Sequence, residues 1–256
     1  DTEGEMISIE PHGNGHINDT FLLTCHEASK EKLRYILQRM NHEVFKDPEG
    51  LMENIVGVTT FLQKKITEHG GDPKREALNV IAAKEGGAFC RLEDGTFWRM
   101  YRFVEDADSY DVVERPEDFY ESAVAFGHFQ KLLADYPAES LHETIPNFHN
   151  TIDRLEKFKK AAEADPLKRA GEVEEEIRFV LDREADCRVL CDLLASGEIP
   201  LRVTHNDTKL NNIMLDHKTR KGICVIDLDT VMPGSALYDY GDSIRFGANT
   251  GAEDEQ

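Results

Sequence analysis

His205-Asn206-Asp207-Thr208-Lys209-Leu210-Asn211-Asn212 is followed, fifteen residues on, by Asp227 in the run Ile223-Cys-Val-Ile-Asp-Leu-Asp229. From His205 to Asp227 the chain supplies a carboxylate, an ammonium, a carboxamide oxygen and a second carboxylate. Transfer of a phosphoryl group calls for that set. A carboxylate orients an attacking hydroxyl and accepts its proton, and a hard cation on the phosphates takes oxygen ligands. A further positive group offsets the charge that develops. The expected roles are Asp207 as base, Lys209 as cation, and Asn212 and Asp227 as metal ligands. Any one of these residues alone is an ordinary loop former. Their joint spacing, between short strands expected at Arg202–Thr204 and Gly222–Ile226, is what selects the chemistry. His205 is expected to brace the loop, and Asp229 is a second candidate ligand or a substrate contact.

Upstream of this loop the pattern divides in two. Met6–Glu10, Asp19–Cys25 and Lys32–Asn41 alternate apolar and polar residues, as strands do. Ala77–Ala83, Ala88–Glu93 and Thr96–Val104 read as three more, with Asp94-Gly95 a hairpin turn. Between the two sets, Leu51, Ile55, Val58, Leu62 and Ile66 recur at helical spacing over Glu49–Glu68, with Pro48 in the first turn. Beyond a connector near Arg102–Asp111, Pro116–Tyr136, Thr151–Ala164 and Gly171–Ser196 have helical patterns. Strands first and helices later predict an α+β fold of two lobes, 1–104 and 105–256, and not a wound parallel sheet.

Composition narrows the partners. The 256 residues carry 30 Lys and Arg against 50 Asp and Glu, a net charge of −20. That balance argues against nucleic acid as a partner, since phosphate neutralisation needs a basic face. No apolar run approaches the ~20 residues that span a bilayer, so no membrane partner is expected. Five scattered cysteines fit a reducing compartment, and the cytoplasm is the expected location. Cys187 and Cys191 share a helical face without the second pair that zinc would need. Either a monomer or a homodimer is compatible with the sequence.

The loop spacing H-x-D-x-K-x-x-N resembles the protein-kinase catalytic loop. The blocks PHGNGHINDTFLL, YILQRMN, IPNFHNT, THNDTKLNNIMLD and VIDLDTVMPG with YDYGDSIRFGA resemble the aminoglycoside phosphotransferase/choline kinase superfamily, and within it the N-acetylhexosamine 1-kinase branch. The resemblance implies a two-lobed protein-kinase-like fold, ATP as co-substrate, Mg²⁺ as cofactor and a small sugar or amino alcohol as acceptor. It places the phosphate-covering loop at Gly13, Asn14, Gly15, His16 and Asn18. It puts Arg39 where kinases carry a strand lysine, with Glu53 as its partner, and sets the Arg102–Glu105 backbone, Val104 included, against adenine. Asp242 is expected to brace the catalytic loop. Arg245 is expected to reach substrate or phosphate, or else to pair with Asp242 or Asp239. The family's chains run further than Gln256, so later helices are expected to complete the acceptor pocket. Choline, ethanolamine, homoserine or aminoglycoside kinases, and a non-catalytic nucleotide-binding module, are the rival readings.

Overall fold

The computed structural model describes residues 4–13, 15, 17–26, 32–113 and 115–248. Strands β1 (Glu5–Pro11), β2 (Asp19–His26) and β3 (Lys32–Met40) form an antiparallel meander. Helix α1 (Pro48–Glu68) follows, its first turn capped by the Asp47 carboxylate, which accepts from the Gly50 N–H at 2.9 Å. All five residues of its predicted apolar stripe are buried, each contributing about 1.5–3 kcal/mol. The short α2 (Pro73–Glu76) leads to β4 (Cys90–Arg91) and β5 (Phe97–Arg102), and the sheet order is β1-β2-β3-β5-β4. Asp94-Gly95 makes the β4–β5 turn, with Gly95 at φ +85° and the Leu92 N–H donating to Thr96 O.

Two of the expected strands shrink. Residues 77–83 touch the sheet edge only through a bridge between Val80 and Tyr101 and a few backbone bonds, such as Ile81 N–H to Met100 O. The Asn79 carboxamide explains this: it donates to Pro73 O and Ala77 O and ties the segment back to α2. Of 88–93, only Cys90–Arg91 pairs, after the left-handed turn at Gly86-Gly87.

The second half begins with β6 (Ala107–Asp108) and α3 (Pro116–Leu132), which buries Ala125, Phe126, Phe129 and Leu132 and stops short of Tyr136. Asn150 caps α4 (Thr151–Ala164). The long helix expected over 171–196 is instead two, α5 (Glu174–Leu181) and α6 (Glu184–Ser196). Neither contains a buried residue, so no packed stripe holds a single axis across Asp182-Arg183. Strand β7 (Arg202–Thr204) then enters the core, followed by β8 (Ile213–Asp216), β9 (Gly222–Val225), β10 (Met232–Gly234) and α7 (Ala236–Gly247). β10 pairs with β7, while β6, β8 and β9 form a separate antiparallel sheet.

The main core joins the halves. Met40, Leu51, Ile55, Val58 and Tyr101 from the first pack with Val203, Cys224, Leu228 and Val231 from the second. Buried Asn54 on α1 reinforces the join, donating to His142 O and Val231 O and accepting from the His142 N–H. The fold is α+β and two-lobed, with an antiparallel sheet in the first lobe and a mainly helical second lobe. Among the described residues no helix is long and apolar enough to cross a membrane.

Candidate active site

The loop after β7 is held from three sides. His205 is fully buried, its ring edge-on to Phe126 and Phe129 at 5.2 and 5.9 Å. Its Nδ1 accepts from the Asp207 N–H at 3.3 Å and its Nε2 lies 2.9 Å from Ile226 O, so the partners place the ring proton on Nε2. From below, α7 presents two carboxylates. Asp239 accepts the N–H groups of His205 (3.0 Å) and Asn206 (2.8 Å) and the Gln130 amide (2.5 Å). Asp242 accepts the Thr208 N–H at 2.8 Å. Burial raises the Asp239 carboxyl above its ordinary range, although His205 and these N–H donors act the other way. Thr230 closes the third side: its hydroxyl donates to His205 O, and its carbonyl accepts from Asn206 Nδ2.

So gripped, the loop carries Asn206 at φ +68°, a conformation that costs a non-glycine residue energy and persists only where surroundings impose it. The next residue, Asp207, turns its carboxylate toward Asn212 and Lys209. Asn212 Nδ2 donates to Asp207 Oδ2 (3.0 Å) and Asp207 O (2.8 Å), and Lys209 Nζ lies 3.3 Å from Asp207 Oδ1. These three predicted residues therefore form one cluster. The Asn212 amide is engaged through nitrogen, which leaves Oδ1 as the oxygen able to reach a cation.

Asp227 comes to the same place from β9. The Ile226 N–H donates to Asn212 O at 2.9 Å, docking the end of β9 on the loop. Asp227 itself sits at φ +55°, and its carboxylate has no hydrogen bond or ion pair among the described residues. Shielding by the surrounding protein, and then the Asp229 carboxylate two residues on, hold its pKa above the usual range, with Asp207 adding to the effect. A carboxylate without a donor, crowded by other acids and beside a carboxamide oxygen, is a site that a hard divalent cation fits.

Asp229 is engaged otherwise. It is 3% exposed, and both of its oxygens are taken from the first lobe: Oδ1 by Arg99 Nη1 of β5 at 2.5 Å and Oδ2 by Asn18 Nδ2 at 2.7 Å. Arg99 is 2% exposed, donates from Nε to Gln38 Oε1 at 3.0 Å, and rests over the Tyr101 ring. Burial acts to lower its pKa and Asp229 more than offsets that, so the guanidinium stays charged. Arg99 does not appear among the residues expected from the sequence. Its signal was present, since in Phe97-Trp-Arg-Met-Tyr101 it alternates with Phe97 and Tyr101 on the inward face of the strand.

That register also sets where Arg39 lies. Ile36, Gln38 and Met40 of β3 lie on the face toward α1, so Arg39 lies on the other. Its guanidinium pairs with Asp19 of β2, and both are about half exposed. Glu53 does not meet it: its carboxylate lies 2.6 Å from His142 Nε2. Arg245 pairs with Asp242 at 2.8 Å, the ion pair foreseen as one of its two options. Val104 is buried in the main core, and the Arg102 N–H donates to Asn79 O. At Gly13 (φ +77°) and Gly15 an added Cβ would meet nothing within 4 Å, so the space around these backbones is open. Asn14 and His16 lie outside the described residues.

Solved structures share this fold. A mutant aminoglycoside 2′-phosphotransferase-IIIa in complex with GDP superposes with a TM-score of 0.58 at 15% identity, covering 94% of this chain and 72% of that one. Amicoumacin kinase in complex with AMP-PNP, Ca²⁺ and Ami gives 0.56 at 11% identity, with 96% and 66% covered. Plasmodium vivax ethanolamine kinase gives 0.52 at 16% identity, with 96% and 64% covered. Residues 8–255 match the APH phosphotransferase enzyme family, a span that takes in the glycine loop, the catalytic loop and the Asp227 strand together. A loop clamped by two helix carboxylates, presenting an acid, an ammonium and an amide beside Asp227, is thus carried by a chain that belongs to the APH phosphotransferase enzyme family.

Proposed function

We propose that this phosphotransferase moves the γ-phosphoryl group of ATP to the anomeric hydroxyl of an N-acetylhexosamine, N-acetylglucosamine or N-acetylgalactosamine, with magnesium as the metal. Residues 1–104 form the lobe over the nucleotide and 105–256 the lobe that carries catalysis. The observation that carries the reading is the cluster of Asp207, Lys209 and Asn212 within 3.3 Å, docked on the strand that ends at Asp227. The sugar assignment rests on the sequence blocks quoted above. The nucleotide and divalent-cation assignments draw support from the GDP and AMP-PNP–Ca²⁺ complexes of the structural neighbours.

The Asp207 carboxylate orients the acceptor hydroxyl and takes its proton as the oxygen attacks phosphorus. The new O–P bond forms as the bond to the β,γ-bridging oxygen breaks, and ADP leaves with that electron pair. Lys209 offsets negative charge on the transferring group. Asn212 Oδ1 and the Asp227 carboxylate are the oxygens that would hold magnesium, which supplies charge neutralisation on the phosphates. The tight grip on His205, Asn206 and Thr208 fixes the Asp207 backbone, so the base is positioned before substrate arrives. The test is turnover on a panel of N-acetylhexosamines, other sugars and amino alcohols with magnesium–ATP, locating the phosphate by ³¹P NMR. Phosphate on C1 of an N-acetylhexosamine is the expected outcome. Turnover only on choline, ethanolamine or an aminoglycoside would overturn the acceptor assignment.

A further inference from the structure

Three polar side chains stand opposite one another on adjacent strands of the first-lobe sheet: Thr20 of β2, Gln38 of β3 and Arg99 of β5. Cross-strand neighbours on one face are close enough to bond side chain to side chain, and these do. Gln38 donates from Nε2 to Thr20 Oγ1 at 3.0 Å, and Arg99 donates from Nε to Gln38 Oε1 at 3.0 Å. Arg99 then pairs with Asp229 of the second lobe at 2.5 Å. Asp229 passes the connection back, because its other oxygen accepts from Asn18 Nδ2 at 2.7 Å. Asn18 Oδ1 in turn accepts from the Asn41 N–H at 2.9 Å, at the end of β3. The row therefore leaves the first lobe through Arg99 and returns to it through Asn18, two residues ahead of Thr20.

What the row joins gives it a use. Asn18 ends the turn between β1 and β2, the turn expected to lie over the phosphates. Asp229 sits in the short turn Leu228–Thr230, directly after Asp227. Thr230 donates to His205 O at 2.6 Å, and its carbonyl accepts from Asn206 Nδ2 at 2.7 Å, so the same turn holds the loop that carries Asp207. One buried carboxylate, that of Asp229, thus links the β1–β2 turn to the catalytic loop. Other side-chain bonds between the lobes start from Asn54 on α1 and Arg75 on α2, and neither reaches that turn. Arg39 and Glu53 are engaged with Asp19 and His142. Alignment of the lobes bears on the reaction, because a reacting group misplaced by about 1 Å can lose about 10²-fold in rate.

We propose that Asn18 is a positioning residue for phosphoryl transfer: through Asp229 it fastens the β1–β2 turn to the catalytic half, so that the transferred group meets Asp207 at one fixed separation. Both ends of its carboxamide are engaged within the protein, so it acts through Asp229 and not on the nucleotide. This rests on the phosphotransferase reading and not on the choice of acceptor. It also gives the alternation of Thr20, Gln38 and Arg99 a task, since the three hold Asp229 from the opposite side.

Two variants test it. Asn18→Asp keeps the oxygen that accepts from Asn41 and replaces the donor facing Asp229 with a second carboxylate oxygen. Asn18→Ala removes both bonds without adding charge, and serves if the acid impairs folding. Amide hydrogen exchange over residues 12–20 is followed without nucleotide. On the same preparations kcat is measured with N-acetylglucosamine and magnesium–ATP, together with magnesium–ADP affinity and thermal melting. In both variants exchange should be at least about tenfold faster and kcat at least about tenfold lower, with magnesium–ADP affinity within about threefold of wild type and melting little changed. Unchanged exchange or unchanged kcat in both variants overturns the proposal. So does a loss that lies wholly in nucleotide affinity, which would place Asn18 on the nucleotide itself. If wild type leaves N-acetylglucosamine unphosphorylated, the acceptor assignment falls. Exchange and magnesium–ATP hydrolysis, which need no sugar, then decide the role of Asn18 by the same outcomes.

Discussion

The catalytic loop and the first-lobe sheet both carry charged residues into the space between the lobes, and they do so by different means. In the loop, Asp207, Lys209 and Asn212 lie within six residues of one another, and short local geometry brings them together. In the sheet, which cation faces inward depends on strand register, and a shift of one residue moves a side chain to the opposite face. Arg39 and Arg99 lie diagonally across the β3–β5 ladder, in the pairs Arg39↔Trp98 and Gln38↔Arg99. Only Arg99 points to the acid cluster. A compact motif survives as a sequence signal, whereas a contact made across a sheet is decided by packing.

The largest break in this comparison is expected at Asp227. Asp227→Ala removes the carboxylate offered to the metal, and turnover should fall to background, with divalent-cation dependence of nucleotide binding lost in a Mn²⁺ titration. The next is Arg99→Met. Removing a buried cation strands the Asp229 charge, which should cost about 3–5 kcal/mol in urea unfolding. Pairing it with Asp229→Leu should recover much of that loss in stability, because no unpaired charge remains. Stability within 1 kcal/mol of wild type for Arg99→Met alone would remove Arg99 from the core of the account.

A middle-sized effect belongs to Asp118 on α3. Its carboxylate is 1% exposed and held at about 2 by Arg220, which approaches it at 3.1 and 3.2 Å, and by Arg115. A folded pKa below the unfolded value near 3.9 means that the stabilisation is present above about pH 4 and lost as pH falls toward 2. Asp118→Asn should therefore be about 2 kcal/mol less stable than wild type at pH 7, and the gap should close between about pH 4 and 2. A gap independent of pH would contradict the ion-pair assignment. The smallest effect is expected at Arg39. Its pair with Asp19 is exposed, so Arg39→Ala should cost under about 1 kcal/mol.

How much was legible follows the same division. The α1 stripe, the Asp94-Gly95 hairpin and the order of strands before helices could be read from period and turn chemistry, because each is local. The loop cluster could be read because its residue types leave few other uses at that spacing. The break at Asp182-Arg183 could not, since the apolar period continues across it and only the absence of a packing partner divides the helix. The Asp239 clamp was hidden for another reason. Asp239 and Asp242 are one turn apart on α7, and which carboxylate meets which backbone N–H is set by how α7 sits under β7. Asp242 does meet the loop, at Thr208, while Asp239 takes the two donors next to the base.

The central claim is that Asp207 works as a proton acceptor in a prebuilt cluster. It is tested most directly by measuring phosphoryl transfer and magnesium–ADP affinity on one preparation of Asp207→Asn. The account predicts a rate lower by about 10²–10⁴-fold, with nucleotide affinity unchanged within about twofold. A rate near wild type would contradict it.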